Sequence, residues 1–296
     1  MRRSRKGVTM ASKTTKLRAK IEVERWGRMT LPEEDCSRPD PRRTLIEVEG
    51  VTIRFGGVVA LDHVSFRVAP GKICGLIGPN GAGKTSLFNC ISRLYTPNAG
   101  SIAFDGVRLE TVPRHAIAAL GIARTFQNLA LFSTLSVREN VMVGVHSLAR
   151  GGFFVNGLAL PHARREERRI AERADELLEE FRLVAVADRL VGELPFGAKK
   201  RVELARALAI EPKLLLLDEP AAGLNHGEVE ELGSEIQAIR DRRGVGVLLV
   251  EHHMNLVMRI SDQVVALDFG KLIADGAPDV VRANPDVIRA YLGSAA

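Results

Sequence analysis

The sequence predicts an α/β protein whose parallel sheet carries a phosphate-binding loop, and three observations support that prediction. Residues 78–85 read Gly-Pro-Asn-Gly-Ala-Gly-Lys-Thr and fit the pattern G-x-x-x-x-G-K-[ST], with an apolar run before them and a helical pattern after them. Four leucines at residues 214–217 precede Asp218 and Glu219. A further apolar run at residues 245–250 ends in three polar residues. Such runs are typical of buried parallel strands, whose carboxyl ends share the edge of the sheet where ligands bind.

The loop at residues 78–85 predicts a site for a nucleoside triphosphate. Its glycines allow the backbone to curl so that N–H groups face an anion, and the helix N-terminus adds partial positive charge. Lys84 would reach the β- and γ-phosphates, and Thr85 would hold Mg²⁺ through its hydroxyl. The residues expected to bind nucleotide here are Gly78, Asn80, Gly81, Ala82, Gly83, Lys84, Thr85 and Ser86. The loop alone names no function, because many different proteins hydrolyse ATP or GTP.

Length and composition indicate a globular chain without a membrane-spanning segment. The 296 residues suit one large α/β domain or two small ones, and a hydrophobic content of 46% allows a sizeable core. No apolar run approaches the roughly 18 residues that are needed to cross a bilayer, and no apolar segment follows the basic N-terminus. We therefore expect a protein that stays in the cytoplasm or is held at a membrane by a partner.

Positive charge is concentrated at the N-terminus. Residues 1–44 contain 13 Lys/Arg and 6 Asp/Glu, out of 42 and 36 in the chain, so the remainder is close to neutral. The domain itself is therefore not expected to bind nucleic acid. We interpret the extension as disordered, or as a leader upstream of the start codon in use, with contact to anionic lipid or nucleic acid as the alternative.

The three cysteines are expected to have no metal-binding or redox role. Cys36, Cys74 and Cys90 are scattered, without the paired spacing of zinc sites or disulfides. Cys74 lies in a predicted strand and Cys90 in a predicted helix, so both are interpreted as small core residues.

Ahead of the loop, the pattern predicts an antiparallel β-subdomain. Residues 45–55, 58–61 and 64–68 have the composition of strands, and a Pro-Gly pair then marks the turn into the loop strand. Phe55 precedes two glycines at a strand end, where an exposed aromatic ring could stack on a purine. A core position is the alternative for that side chain.

Between the loop and the leucine-rich strand, short elements alternate. Residues 100–106 predict a strand and turn, residues 113–120 a helix closed by Gly121, and residues 122–127 a strand that ends in the amide of Gln127.

Three helical segments follow. Ser136 and Glu139 are three residues apart and fit a capping box. After a predicted loop at residues 151–161, residues 161–183 predict a charged helix, and residues 198–210 predict a second helix. The apolar stripe of the charged helix is expected to face the core and comprises Ile170, Ala174, Leu177, Leu178 and Phe181. On the second helix the corresponding residues are Val202, Leu204, Ala205 and Leu208.

The acids after the leucines are the strongest catalytic candidates. Asp218 fits the strand-end aspartate that orders Mg²⁺, and Glu219 could polarise a water molecule. Burying two adjacent carboxylates without a metal would be costly. His252, at the end of another strand, could contact phosphate, although a role satisfied by structural hydrogen bonds is equally consistent with its position.

The last part of the chain is predicted to contain a helix, a hairpin and a second helix. The helix covers residues 228–240, and the hairpin turns around Phe269 and Gly270. The C-terminal helix covers residues 285–292.

These residues, in this order, resemble the nucleotide-binding subunits of ABC transporters over about residues 45–293. The resemblance implies their fold, in which an α-helical subdomain is inserted into the core, here at about residues 130–210. Phe55 matches the aromatic residue that stacks on adenine, and Gln127 matches the glutamine that touches Mg²⁺ or water and senses the membrane partner. Residues 194–198 take the place of the signature motif, whose Gly197 would face the ATP of a second subunit.

The resemblance also assigns roles at the strand ends. Asp218 and Glu219 match the Walker B aspartate and the catalytic glutamate, Asn225 takes the D-loop position, and His252 matches the switch histidine. The implied catalytic residues are Glu219, His252, Gln127 and Lys84. The implied metal site consists of Thr85, Gln127 and Asp218, with ATP and Mg²⁺ as cofactors.

A closer resemblance is to the ATP-binding subunits of branched-chain (hydrophobic) amino acid uptake systems. It rests on residues 123–127, 219–225 and 284–293, and on an insertion at residues 144–164. It implies an ATPase that powers such an importer. Urea or amide importers and lipid or lipopolysaccharide exporters use similar ATPases and remain alternatives. A soluble ABC ATPase acting on ribosomes or DNA is the rival from another class.

The implied partners are a second ATP-binding subunit, integral membrane permease subunits and, indirectly, a periplasmic or extracellular solute-binding protein. The implied location is peripheral, at the cytoplasmic face of a bacterial cell membrane. Residues 128–150 are expected to dock on the permease, with core packing as the alternative for their apolar residues Leu129, Leu131, Phe132 and Leu135.

Two motifs, the signature and the D-loop, depart from the family pattern in ways that bear on the mechanism. Pro195 replaces the signature serine, so its hydroxyl and N–H are missing, and Ala198 replaces the usual glutamine. Asn225 stands where aspartate is usual, which keeps hydrogen bonding and removes a charge. The sequence therefore predicts a weaker γ-phosphate contact from this subunit's signature helix.

Overall fold

The structure is a computed structural model, and it describes residues 44–125, 129–146 and 161–293. The basic extension up to residue 43, Gln127 and the predicted loop between residues 151 and 160 lie outside this description. The strands are β1 (Ile46–Phe55), β2 (Val58–Val68), β3 (Ile73–Ile77), β4 (Ala99–Phe104), β5 (Val107–Arg108), β6 (Ile122–Arg124), β7 (Leu214–Asp218), β8 (Gly246–Val250), β9 (Gln263–Asp268) and β10 (Lys271–Gly276). The α-helices are α1 (Lys84–Ile91), α2 (Val137–His146), α3 (Pro161–Glu180), α4 (Phe196–Leu208), α5 (His226–Arg243), α6 (Met254–Ile260), α7 (Pro278–Arg282) and α8 (Pro285–Gly293).

The strands form two sheets, and the α/β prediction is confirmed. A four-stranded antiparallel sheet has the order β2-β1-β4-β5, as the strand composition ahead of the loop indicated. A six-stranded sheet has the order β10-β9-β3-β8-β7-β6, with parallel pairing from β9 to β6. The antiparallel partner β10 is the second strand of the predicted hairpin, whose turn contains Phe269 and Gly270.

The central strands are buried on both faces because every residue in them except the strand-end aspartate is apolar or glycine. Alternate side chains enter two cores, as the two-residue period of a strand requires. Leu215 and Leu217 pack on the side of helices α3, α4 and α5. Leu214 and Leu216 pack on the side of α1 and the antiparallel sheet. The parallel sheet is therefore the middle layer, and its carboxyl edge presents Asp218.

The helical predictions in the second half of the chain are largely confirmed. Ser136 and Glu139 form the capping box at the start of α2, since the backbone N–H of each donates to the side chain of the other at 2.7 and 3.1 Å. The apolar stripe of α3 is buried, and α4 buries its predicted apolar residues. Helix α3 ends at Glu180, three residues before the predicted end, because Arg182 has a φ of 55°.

The helix predicted at residues 113–120 is wrong. The segment contains one 3₁₀ turn, Arg114–Ala116, followed by further turns. Such a short segment gains little from helical hydrogen bonding alone. Its backbone instead turns back, with Ile122 donating to the carbonyl of Ile117 at 3.3 Å, so that the chain enters β6 directly.

Several smaller expectations are corrected or confirmed. Strand β6 ends at Arg124, earlier than predicted, and helices α6 and α7 were not predicted. Cys74 and Cys90 are buried core residues, and burial raises the pKa of the Cys90 thiol to about 12. Within the described ranges no helix is long and apolar enough to cross a membrane.

Candidate functional site

The phosphate loop connects β3 to α1, as the sequence predicts, and two of its glycines are required by close packing. Gly78 has a φ of 151°, and a Cβ there would lie 2.2 Å from the carbonyl oxygen of Leu267. Gly83 caps α1 with a φ of 102°, and a Cβ there would lie 2.5 Å from the carbonyl oxygen of Ala60. Only glycine has the space and the backbone freedom for both positions.

Lys84 is the buried cation of this loop. Its side chain is 6% exposed, and its Nζ donates to the carbonyl oxygens of Gly78 and Pro79 at 2.6 and 2.9 Å. Burial lowers the pKa of Lys84 below its ordinary value, and the negative charges of Glu219 and Asp218 oppose that shift. The structure thus brings the loop lysine and the two strand-end acids into one electrostatic site.

The C-terminal helix also contacts the loop. The hydroxyl of Tyr291 on α8 accepts a hydrogen bond from the backbone N–H of Gly78 at 2.8 Å. Burial raises the pKa of Tyr291. Sequence reasoning assigned no site role to Tyr291, because 213 residues separate the two partners. The remaining loop residues lie nearby with different exposure: Asn80, Gly81 and Thr85 are exposed, Ala82 is buried, and Ser86 is half-buried.

Asp218 ends β7 and is held by an arginine that the sequence did not single out. Arg124 donates to its Oδ2 at 2.9 Å, and both side chains are buried. The same guanidinium donates to Asn89 of α1, the helix that follows the phosphate loop, at 2.9 Å, and to its C-cap residue Ser92 at 3.0 Å. Arg124 therefore links the metal-ordering candidate to helix α1, and it lies three residues before Gln127.

Glu219 and His252 contact each other at the edge of the sheet. The Nε2 atom of His252 lies 2.7 Å from Oε1 of Glu219. Glu219 has a φ of 49°, a conformation that costs a non-glycine residue of order 1–3 kcal/mol and persists only where the surrounding structure holds it. Its backbone N–H donates to the carbonyl of Val250 at 2.9 Å, which ties the turn after β7 to the end of β8. Neighbouring strands thus bring together two of the four residues that are predicted for catalysis.

Phe55 is at an exposed strand end, as the interpretation of its ring as a stacking surface for a purine requires. Its ring is 47% exposed and lies 5.1 Å from the ring of Tyr95, at an interplanar angle of 70°. The edge-to-face contact holds the Phe55 ring and leaves part of it open for a base.

The start of α4 packs against the turn that follows the acids. Pro195 is the N-cap residue of α4 and makes no side-chain capping hydrogen bond. A Cβ at Gly197 would lie 2.9 Å from Oε1 of Glu228, and a Cβ at Gly223 would lie 3.0 Å from the ring of Phe196. The signature position and the D-loop position are therefore in direct contact within one subunit.

Asn225 has a structural role at the start of α5, for which the usual aspartate charge is not needed. It is the N-cap residue of α5 and forms a capping box with Glu228, with hydrogen bonds of 2.9 and 3.1 Å. Asparagine and aspartate are nearly equivalent as N-caps.

The donor groups at the site suit Mg²⁺ bound together with a triphosphate. Magnesium commonly takes one or two protein oxygens and completes its shell with phosphates and water. Thr85 offers an exposed hydroxyl at the start of α1, and Asp218 offers a strand-end carboxylate. The described residues contain no cluster of three or more His, Cys, Asp or Glu side chains that could hold a metal ion.

Phosphate-loop nucleotide-binding proteins hold a triphosphate in a loop between a parallel strand and a helix, with acids at a nearby strand end. The fold and the site place this chain in that class. Two family models narrow the class. The ABC transporter model matches residues 61–222, and the model named branched-chain amino acid ATP-binding cassette transporter matches residues 271–296. The chain belongs to the ABC transporter family of ATP-binding proteins.

Individual relatives agree with that assignment. The chain is 44% identical to the high-affinity branched-chain amino acid transport ATP-binding protein BraF of Pseudomonas aeruginosa, over 86% of this chain and 99% of that protein. It is 43% identical to LivG of Escherichia coli, which carries the same description, over 85% of this chain and 98% of that protein. Among solved structures, it resembles the ADP conformation of MJ1267, an ATP-binding cassette of an ABC transporter, with 29% identity, a TM-score of 0.72, and coverage of 84% and 99%.

Proposed function

We propose that this chain hydrolyses ATP to power an importer of branched-chain or other hydrophobic amino acids. The observation that supports this substrate class best is the match of residues 271–296 to the branched-chain transporter model. The identity to two ATP-binding proteins of branched-chain amino acid transport, over nearly their whole length, supports the same reading. In this proposal residues 45–293 are the nucleotide-binding domain, residues of about 130–210 are its helical subdomain, and residues 1–44 are a basic extension.

The nucleotide would be bound at both of its ends. The ring of Phe55 would stack on adenine, since it is half-exposed and is held by Tyr95. Backbone N–H groups within residues 80–86 would surround the phosphates at the N-terminus of α1. The ammonium of Lys84 would exchange its carbonyl partners for the β- and γ-phosphate oxygens, because a charged hydrogen bond is stronger than one to a neutral carbonyl.

Hydrolysis would depend on the pair at the sheet edge. Glu219 would orient or deprotonate the attacking water, and His252 would donate to the γ-phosphate as charge develops. When bound, Mg²⁺ supplies positive charge that offsets the phosphate oxygens. Thr85 and Asp218 would hold it, with Gln127 as a third contact by family resemblance. The 2.7 Å contact between Glu219 and His252 would have to open for water and phosphate to enter.

A complete site would need a second ATP-binding subunit. The start of α4, including Gly197, would face the ATP in the phosphate loop of that subunit, and its own start of α4 would face this chain's ATP. Permease subunits would contact residues 128–150, where Phe132 is 50% exposed. The assembly would lie at the cytoplasmic face of a bacterial cell membrane and take its substrate from a periplasmic or extracellular solute-binding protein.

The direct test of this function is purification of the intact membrane complex from its native cell, followed by transport assays in vesicles. We expect ATP-dependent uptake of leucine, isoleucine and valine. Uptake of urea or short amides alone would show that the importer's substrates are amides and not amino acids. Failure to recover any permease, or nucleotide hydrolysis that depends on ribosomes or DNA, would contradict the transporter proposal.

Replacing Pro195 by serine is expected to raise ATPase activity in the assembled complex. The serine hydroxyl could accept from the first turn of α4 and, in the closed dimer, donate to the γ-phosphate of the opposite ATP. A hydrogen bond to a charged group is worth about 1.5–3 kcal/mol, which is about 10- to 150-fold in rate if the whole of it is gained in the transition state. We therefore expect kcat to rise at least a few-fold. The control is Pro195→Ala, which removes the proline ring without adding a hydroxyl. A rate for Pro195→Ser no higher than that of Pro195→Ala would contradict the weakened-signature interpretation.

A further inference from the structure

Glu251 is a buried carboxylate to which neither the sequence analysis nor the proposed mechanism gives a role. It follows β8 directly, and its side chain is 1% exposed. Its Oε1 accepts a hydrogen bond from the backbone N–H of Ala221 at 2.6 Å. Its Oε2 accepts from the N–H groups of His252 and His253 at 2.9 and 3.3 Å. Both carboxylate oxygens thus act as acceptors for backbone donors from two different turns.

The two turns that Glu251 joins are the ones that carry the catalytic candidates. Ala221 lies two residues after Glu219, in the turn that leaves β7, and His252 begins the turn that leaves β8. The strands themselves are paired up to Asp218 and Val250, where the ladder ends. Beyond that point the two turns are linked by the Glu219–Val250 backbone bond, the Glu219–His252 side-chain contact and the bond from Ala221 to Glu251.

This position matters because the Glu219 turn needs support. Glu219 has a left-handed backbone conformation, which persists in a non-glycine residue where the surroundings hold it. A hydrogen bond to Ala221 restrains the far side of that turn, and the same carboxylate restrains the backbone of His252. A displacement of about 1 Å between catalytic groups can lower a rate by about 100-fold. A shift of either turn that moved Glu219 relative to His252 would therefore slow the reaction.

We propose that Glu251 is a positioning residue that sets the geometry of the Glu219–His252 pair through their backbones. The inference rests on the proposed function, since it requires that both residues act in ATP hydrolysis. Glu251 itself would touch neither nucleotide nor water. Its loss would lower the rate of hydrolysis. The affinity for nucleotide would be almost unchanged, because the phosphate loop and Phe55 are held by other contacts.

The test compares Glu251→Gln with Glu110→Gln in the assembled complex. Glutamine keeps the shape and replaces one acceptor oxygen by an NH₂ group, which cannot accept the backbone N–H that faces it. Glu110 also accepts a backbone N–H, from Ile102 at 2.8 Å, but in the antiparallel β-subdomain. We expect kcat to fall at least about tenfold in Glu251→Gln with less than about threefold change in the Kd for ATP, and no comparable fall in Glu110→Gln.

A double-mutant cycle with His252→Ala separates positioning from general loss of structure. If Glu251 acts through the pair, adding Glu251→Gln to His252→Ala should lower the residual single-turnover rate by less than about threefold, since residues that act as a unit are strongly non-additive. Glu251→Asp, which keeps both acceptor oxygens, should retain more activity than Glu251→Gln, and it replaces Glu251→Gln in the cycle if that variant does not fold.

Two results would overturn the positioning role. The first is a kcat for Glu251→Gln equal to that of Glu110→Gln. The second is a rate for the double variant that falls by the product of the two single-variant losses. Full activity in both Glu219→Gln and His252→Ala would instead show that the proposed hydrolysis mechanism has failed. That outcome is distinguishable because it does not involve any change at Glu251.

Discussion

Replacing Glu219 by glutamine is expected to lower ATP turnover by about 100-fold or more while ATP binding stays within a few-fold of the original. Glutamine has nearly the same size and can still contact His252, so the 2.7 Å pair retains a hydrogen-bonding partner. It cannot accept a proton from the attacking water, which is the role proposed for the carboxylate. Steady-state ATPase assays and equilibrium binding of a fluorescent ATP analogue measure the two effects separately.

Glu172→Gln is the matched control for this experiment. Glu172 is an exposed carboxylate on α3, so the same chemical change there removes a charge away from the sheet edge. Its turnover should equal that of the unaltered protein. Near-normal hydrolysis by Glu219→Gln would show that another group activates the water, and the role given to Glu219 would have to be abandoned.

Replacing Lys84 by alanine is expected to weaken ATP binding by about 10- to 100-fold, because one or two charged hydrogen bonds to phosphate are lost. Burial lowers the pKa of this ammonium in the structure, so a phosphate anion in contact with it should favour the charged form and raise that pKa again. The Kd for ATP, measured by titration at fixed salt, is the readout. The effect should be much smaller for adenosine, which has no phosphate.

Lys213→Ala provides the comparison for Lys84→Ala. Lys213 is a lysine near the surface that pairs with Asp105 at 2.5 Å, away from the phosphate loop. Exposed ion pairs contribute little, so this variant should bind ATP normally and lose little stability. Unchanged ATP affinity in Lys84→Ala, with its fold verified by thermal unfolding, would contradict the proposed phosphate contact.

Much of the architecture could be predicted from the sequence because its signals are local. The leucine run before Asp218 predicts a fully buried strand, and the structure buries all of β7. The capping box of Ser136 and Glu139 predicts the start of α2, since both partners lie within one turn. Where a local signal was weak, at residues 113–120, tertiary packing prevailed and the helix was not formed.

The candidate site also divides into residues that local motifs predict and partners that only the folded chain brings to them. Lys84, Asp218, Glu219 and His252 were predicted from motifs, and the structure brings them to one edge of the parallel sheet. The partners that hold them were not predicted: Arg124 on Asp218 and Tyr291 on Gly78. Arg124 and Tyr291 lie in stretches that carry the family resemblance, residues 123–127 and 284–293, but the pattern there does not say which group either side chain contacts.

By itself, then, the sequence determined the strand–loop–helix unit, the acids at the strand end and the family, because these are encoded in contiguous residues with a fixed period or spacing. Only the tertiary structure decided which side chains support them. The bond from Arg124 to Asp218 joins positions 94 apart, the bond from Tyr291 to Gly78 joins positions 213 apart, and Glu251 reaches Ala221 across 30. Contacts at such separations arise only when strands assemble side by side and bury their polar groups together, so that each donor must find its acceptor within the folded sheet.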